Sequence, residues 1–334
     1  MNRILSLLAA LVLLAATALN APEAAAQQIN PTAGSVTEEQ LLQALRSGEA
    51  VAGRVSIPDP NAANLIKPEN RNWAGLHSGT IRSVTMWLIV AALAALVVFY
   101  LVRGRIRVDS GLSGRTITRF SGLERMAHWM LATTFIILAL TGLNLIFGRQ
   151  LLLPLLGEAS FGTLSAWGKL AHNYLAWPFM AALVVIFLLW VGRNVPRKVD
   201  MEWLAQGGGL FSKGKHPPAG KFNAGQKILF WLVIIGGAAL SYTGILMLFP
   251  AEAGTAADWQ FYQTIHAIAA AVLTAVILAH IYIGSIGMEG AFDAMGSGEV
   301  DLNWAREHHP LWVQEVTGQP HANAKPAPAA TPAE

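Results

Sequence analysis

The chain has 334 residues, of which 54% are hydrophobic and only 13% charged, with a formal net charge of +3. A soluble domain carries about 25% charged residues, so this composition excludes an ordinary water-soluble enzyme and indicates a membrane protein. Cysteine is absent, which excludes disulfides, thiolate-held iron–sulfur clusters and covalent c-type haem attachment.

Residues 1–26 read as a signal peptide: Arg3, an apolar run from Ile4 to Leu19, and a small-residue cleavage site at Ala24-Ala25-Ala26. Residues 27–82 form a polar segment on the far side of the membrane. Within it, 37–46 predicts one short amphipathic helix, because Thr37 caps it and Gln40 completes a capping box. His77, close to Gly75 and Gly79, reads as a loop residue. Five apolar runs follow, at 84–102, 128–147, 170–191, 228–249 and 261–286. Each has the ~20 residues that a helix needs to cross the hydrocarbon core. None contains Asp, Glu, Lys or Arg. The fold class expected is therefore an all-α membrane protein: a transmembrane bundle of four helices, with one extra N-terminal transmembrane helix over 83–103.

The flanking charges set the orientation. Arg103, Arg105 and Arg107, with Arg115, Arg119 and Arg125, form one basic flank. Arg193, Arg197 and Lys198 form a second, and Lys213, Lys215, Lys221 and Lys227 a third. Such flanks belong on the cytoplasmic side and do not indicate nucleic-acid binding. The connections at 148–168 and 250–260 are poor in basic residues and belong outside. The 27–82 segment is then periplasmic and the C-terminus cytoplasmic, in a bacterial inner membrane. Residues 317–334 are rich in Pro and Ala and read as a disordered tail.

Two features repeat. Trp129 precedes Thr141-Gly142 by 12 residues, and Trp231 precedes Thr243-Gly244 by the same 12. Superposing these helices and the next pair sets His172 opposite His266, which suggests two repeated helix pairs. The small residues Gly142, Gly236, Gly237, Gly244 and Ala269-Ala270-Ala271 either permit close helix contact or leave room for a planar group.

Four of the nine histidines stand in or at the edge of the apolar runs: His128, His172, His266 and His280. Ionisable groups at that depth are costly and mark function. His266 and His280 are 14 residues apart on one helix, so they point within ~40° of each other and lie ~21 Å apart along the axis. That is too far for one metal ion and suits two porphyrins stacked across a bilayer. Topology supplies the partners. His172 shares depth with His266 near the outside, and His128 shares depth with His280 near the cytoplasm. Two histidines per site, without thiolate or carboxylate, suit a b-type haem, whereas zinc takes three or four ligands at one depth. With both axial positions filled, the chemistry is electron transfer.

The motifs RFSGLERMAHW (119–129), GKLAHNYLAWP (168–178), NVPRKVDMEWL (194–204), KFNAGQK (221–227), TIHAIAA (264–270), ILAHIYI (277–283) and WAREHHPLW (304–312) make the 117–316 region resemble the gamma subunit, a cytochrome b, of membrane-bound formate dehydrogenase. The resemblance implies two haem b groups on the same four histidines, in the same pairs. It implies a quinone pocket near the cytoplasmic-side haem, with Asn223 and Gln226 as its residues and His280 close by. Asn223 and Gln226 also fit a plain helix cap. It implies two partners: a catalytic molybdenum or tungsten subunit that oxidises formate, and an iron–sulfur subunit that hands electrons to this chain. The quinone then takes its protons from the cytoplasm. The formate site itself lies on another chain. Related readings are the cytochrome b subunit of a hydrogenase or of a thiosulfate or polysulfide reductase. A haem-free membrane anchor or transporter would leave the four histidines unexplained. Residues 1–116 are additional to the family pattern. His308 and His309 read as part of a tail contact without chemistry.

Overall fold

The computed structural model describes residues 75–210 and 214–318, together with Gln43, Arg46, Ser47 and Trp73. The expected signal peptide at 1–26 and the tail from 319 onward lie outside the described residues. Of the helix expected over 37–46, only Gln43 and Arg46 are described, and both are helical.

Five helices among the described residues are long and apolar enough to cross a bilayer. They are α1 (Arg82–Arg103), α2 (Gly122–Leu151), α3 (Leu153–Trp190), α5 (Ala224–Leu248) and α6 (Ala256–Tyr282), with the short α4 (Lys198–Ala205) between α3 and α5. In hydrocarbon a helix satisfies its own backbone groups, which is why runs of Leu, Val, Ile and Ala take this form. Many of their large side chains, such as Leu93, Val97, Leu140, Leu188 and Ile235, point away from the protein, as lipid-facing residues do.

The helices start earlier than the apolar runs because polar caps precede them. Ser121 with Glu124, Asn223 with Gln226 and Thr255 with Asp258 each form a reciprocal capping box. Each cap contributes on the order of 1 kcal/mol and places the first turn in the polar zone. A π-helical turn over Leu76–Ile81 leads into α1, so His77 is not in a loop. Its ring stacks 4.9 Å from Trp73.

The connection expected at 148–168 is instead almost wholly helical. Helical hydrogen bonds continue through Leu152, and the helical path breaks at Gly157, whose φ of 74° is a conformation that glycine adopts without strain. Nothing in 158–169 stops a helix, so α3 extends past the apolar run. His172 therefore lies well inside α3 and not at its start.

α2 packs along α3, α5 along α6, and α3 against α5. Close approach is set by glycine: a Cβ on Gly236 would come within 2.9 Å of Leu273, and one on Gly237 within 2.9 Å of Leu183. α1 lies outside the four-helix group against α6, with Phe99 and Tyr100 edge-on to Tyr282.

The apolar core is concentrated at the end where α1, α3 and α6 finish. There β1 (Thr116–Thr118) pairs antiparallel with β2 (Glu299–Asp301), Ile117 opposite Val300. The short helices α7 (Asp293–Gly296), α8 (Leu302–His308) and α9 (Pro310–Thr317) complete the cap. Phe120, Trp190, Phe222, Phe230, Trp304 and Trp312 are buried together. A buried ion pair, Lys227 Nζ to Asp200 Oδ2 at 2.7 Å, ties α5 to α4. The strand leading from α1 is held by Glu307, whose carboxylate accepts from the N–H groups of Asp109 and Ser110 at 2.9 and 2.8 Å.

Candidate functional site

The fold brings the four intramembrane histidines together in two pairs. The rings of His172 on α3 and His266 on α6 have centroids 6.3 Å apart. Those of His128 on α2 and His280 on α6 are 6.2 Å apart. His128 and His280 lie toward the capped end, and His172 and His266 lie deeper along the bundle. Protein encloses His128, His172 and His266 only in part, and His280 is the most exposed of the four.

Both pairs fit a metal held between facing imidazoles. Metal–nitrogen bonds of ~2.0 Å put two axial ring centres roughly 6 Å apart, close to both observed spacings. The outer ring nitrogens support the same use. His172 Nδ1 is 2.8 Å from Thr141 Oγ1, and His266 Nδ1 is 2.9 Å from Thr243 Oγ1. With Nδ1 engaged, Nε2 is the nitrogen left to ligate, which is the usual arrangement of a metal-bound histidine. The glycine after each threonine lies against the ring: a Cβ on Gly142 would sit 3.6 Å from His172 Cε1, and one on Gly244 3.4 Å from His266 Cε1, both ordinary van der Waals contact. Gly142 and Gly244 face histidines, while Gly236 and Gly237 face packed leucines.

Asn223 and Gln226 sit at the start of α5 at the capped end. Asn223 Oδ1 accepts from the Gln226 N–H at 2.9 Å, and Gln226 Oε1 accepts from the Asn223 N–H at 3.0 Å. Gln226 Oε1 also lies 3.4 Å from Arg119 Nη2. The capping reading is therefore realised, and it occupies both side-chain oxygens while leaving the amide nitrogens as donors. A small cavity beside this motif is lined by Lys221, Phe222 and Lys227 with Arg193, Arg197 and Leu311, and Asn223 and Gln226 do not line it.

Around that cap stands a polar network that the sequence alone did not bring together. Glu124 Oε1 accepts from Trp190 Nε1 at 2.9 Å and from Lys221 Nζ at 2.8 Å. Arg119 donates to the Lys221 carbonyl at 2.8 Å and lies over the rings of Phe120 and Trp304. Burial lowers its pKa to about 9. His309 is fully buried and donates Nδ1–H to the Gly220 carbonyl at 2.7 Å. Burial, with the neighbouring Arg119 charge, pushes its pKa well below the ordinary value and keeps it neutral. His308 stacks on Trp304 with centroids 5.0 Å apart. In the sequence Arg119, Glu124, Lys221, His308 and His309 stand in the motifs at 119–129, 221–227 and 304–312, and Arg119 and Lys221 also in the basic flanks, whereas Trp190 carried no signal.

A family model described as prokaryotic cytochrome b561 matches residues 119–298. The chain is similar to the nitrate-inducible formate dehydrogenase cytochrome b556(Fdn) subunit of Escherichia coli, 30% identical over 206 residues, which is 60% of this chain and 92% of that protein. It is 29% identical over 204 residues to the formate dehydrogenase cytochrome b556(fdo) subunit of Escherichia coli, covering 60% of this chain and 93% of that one. The formate dehydrogenase cytochrome b556 subunit of Haemophilus influenzae is 28% identical over 215 residues, covering 60% and 83%. The family match begins after α1.

Proposed function

The chain belongs to the prokaryotic cytochrome b561 family, and from that premise we propose that it is the membrane subunit of a formate dehydrogenase complex. In that role it accepts electrons from an iron–sulfur subunit and delivers them to a membrane quinone, while a molybdenum or tungsten subunit oxidises formate. The relatives named above support the choice of donor. The observation that carries the reading is the double histidine pair, with ring spacings of 6.2 and 6.3 Å.

His128 with His280, and His172 with His266, each hold one haem b. Haem b held by both histidines of a pair would supply a one-electron carrier there, and two protein ligands to each iron would suit electron transfer rather than oxygen chemistry. The basic residues at the capped end, among them Arg103, Arg193, Arg197 and Lys198, support a cytoplasmic placement of that end in a bacterial inner membrane. His128/His280 is then the inner pair and His172/His266 the outer pair, with residues 27–82 periplasmic. A purified complex is expected to contain the three subunits and to show a b-type reduced-minus-oxidised spectrum corresponding to two haems per chain. Absence of that spectrum under adequate haem supply would reject the cytochrome role. A hydrogenase or sulfur-compound reductase subunit in the same preparation would reassign the donor.

The quinone is met by the amide nitrogens of Asn223 and Gln226, the groups their mutual cap leaves unused. Asn223→Asp separates the two roles, because aspartate keeps the acceptor for the Gln226 N–H and removes the donor. Both haems should remain, while quinone turnover falls about tenfold, the equivalent of one hydrogen bond of ~1.4 kcal/mol. Unchanged turnover would leave the cap as the only role of Asn223.

A further inference from the structure

The two histidine pairs differ in what holds the ring nitrogen that faces away from the partner. In the outer pair each Nδ1 meets a threonine hydroxyl, Thr141 for His172 and Thr243 for His266, at 2.8 and 2.9 Å. Each hydroxyl also lies one turn from a backbone carbonyl, Ile137 at 2.8 Å and Ala239 at 2.7 Å. A hydroxyl has one proton to donate, and the carbonyl takes it, so the oxygen accepts the imidazole N–H. In the inner pair, His128 Nδ1 is buried and meets no hydrogen-bond partner among the described residues.

This contrast has an electronic consequence. An N–H that donates a hydrogen bond makes its imidazole a more basic ligand through the other nitrogen. A more basic axial ligand favours oxidised iron and lowers the reduction potential. Resting on the two-haem reading above, we infer that Thr141 and Thr243 are positioning residues that hold the outer haem at a lower potential than the inner haem. Their matched placement comes from the internal repeat, which puts a Thr-Gly pair opposite one histidine in each half. The inner pair draws on α2 and α6 and has no such matched support. The gradient makes electron transfer from the outer pair to the inner pair downhill.

The test is a redox titration of the purified complex, followed by optical absorbance. The component missing from His266→Ala identifies the outer haem. In the Thr141→Val/Thr243→Val variant the lower-potential component should shift upward by the equivalent of about a tenfold change in its reduced-to-oxidised ratio, about 59 mV for one electron. The higher component should stay in place. Thr141→Ser/Thr243→Ser keeps both hydroxyls and should restore the wild-type value. If the double valine variant does not accumulate, Thr141→Val alone should give a shift in the same direction. Two haems with unmoved potentials in the valine variants would overturn the role of the threonines and leave the two-haem reading intact. A single component in the wild type would overturn the gradient, and a haem-to-protein ratio of one would overturn the two-haem reading itself.

Discussion

His280→Ala is expected to leave one haem per chain and to abolish quinone reduction, while formate still reduces the haem that remains. His280 and His128 face each other with ring centroids 6.2 Å apart, so removing either imidazole leaves a single protein ligand at that level. The outer pair does not depend on it. His266 is 14 residues away on the same helix, ~21 Å along the axis, and takes its support from Thr243. α6 itself should survive, since alanine is the best helix former and the helix is anchored by its Thr255–Asp258 capping box. The haem-to-protein ratio and the formate-reduced spectrum of the purified complex give the answer. Retention of two haems would show that the pairing is wrong. Unimpaired quinone reduction with one haem would place the quinone at the outer pair.

The second large effect concerns stability. Lys227→Met should destabilise the folded chain by roughly 3–5 kcal/mol, because it leaves a buried carboxylate without its cation. Lys227 Nζ lies 2.7 Å from Asp200 Oδ2 and 3.1 Å from the Val195 carbonyl, and both ionic side chains are nearly closed to solvent. Methionine fills similar space but carries no charge. The remaining contact to Asp200 is the Arg197 N–H, through the box that starts α4. A loss of this size is a large fraction of the stability of a typical domain. The melting temperature in detergent should drop, and haem should be lost with it. Adding Asp200→Asn should recover much of the loss, since the second change removes the stranded charge and keeps an acceptor for the Arg197 N–H. A melting temperature unchanged in the single variant would show that the pair contributes little.

Much of the architecture was legible because it depends on short stretches of chain. An apolar run of about 20 residues becomes a spanning helix wherever it stands, since no other form satisfies its backbone in hydrocarbon. The 14-residue interval between His266 and His280 fixes their relative direction through helix geometry alone. What failed at this level were the ends. The capping boxes begin α2, α5 and α6 in polar sequence that hydropathy passes over. The 148–168 stretch was read as a connection because it lies between two apolar runs, although only Gly157 interrupts its helical path. The Thr-Gly repeat was visible as a repeat, but not as the support of a histidine.

By itself, then, the sequence determined the membrane class, five spanning helices, the four histidines and their division into two pairs. The first three follow from composition and period within single segments, and the pairing from the order of the crossings and the charges that flank them. Only the tertiary structure decided that Thr141 and Thr243 engage His172 and His266, and that Arg119 reaches the Lys221 carbonyl from 102 residues away. The physical reason is closure. A hydrogen bond between distant segments exists only where helix packing brings a donor within about 3 Å of an acceptor. That packing is set jointly by side chains such as Leu183 and Leu273 lying over Gly237 and Gly236, which no single helix specifies.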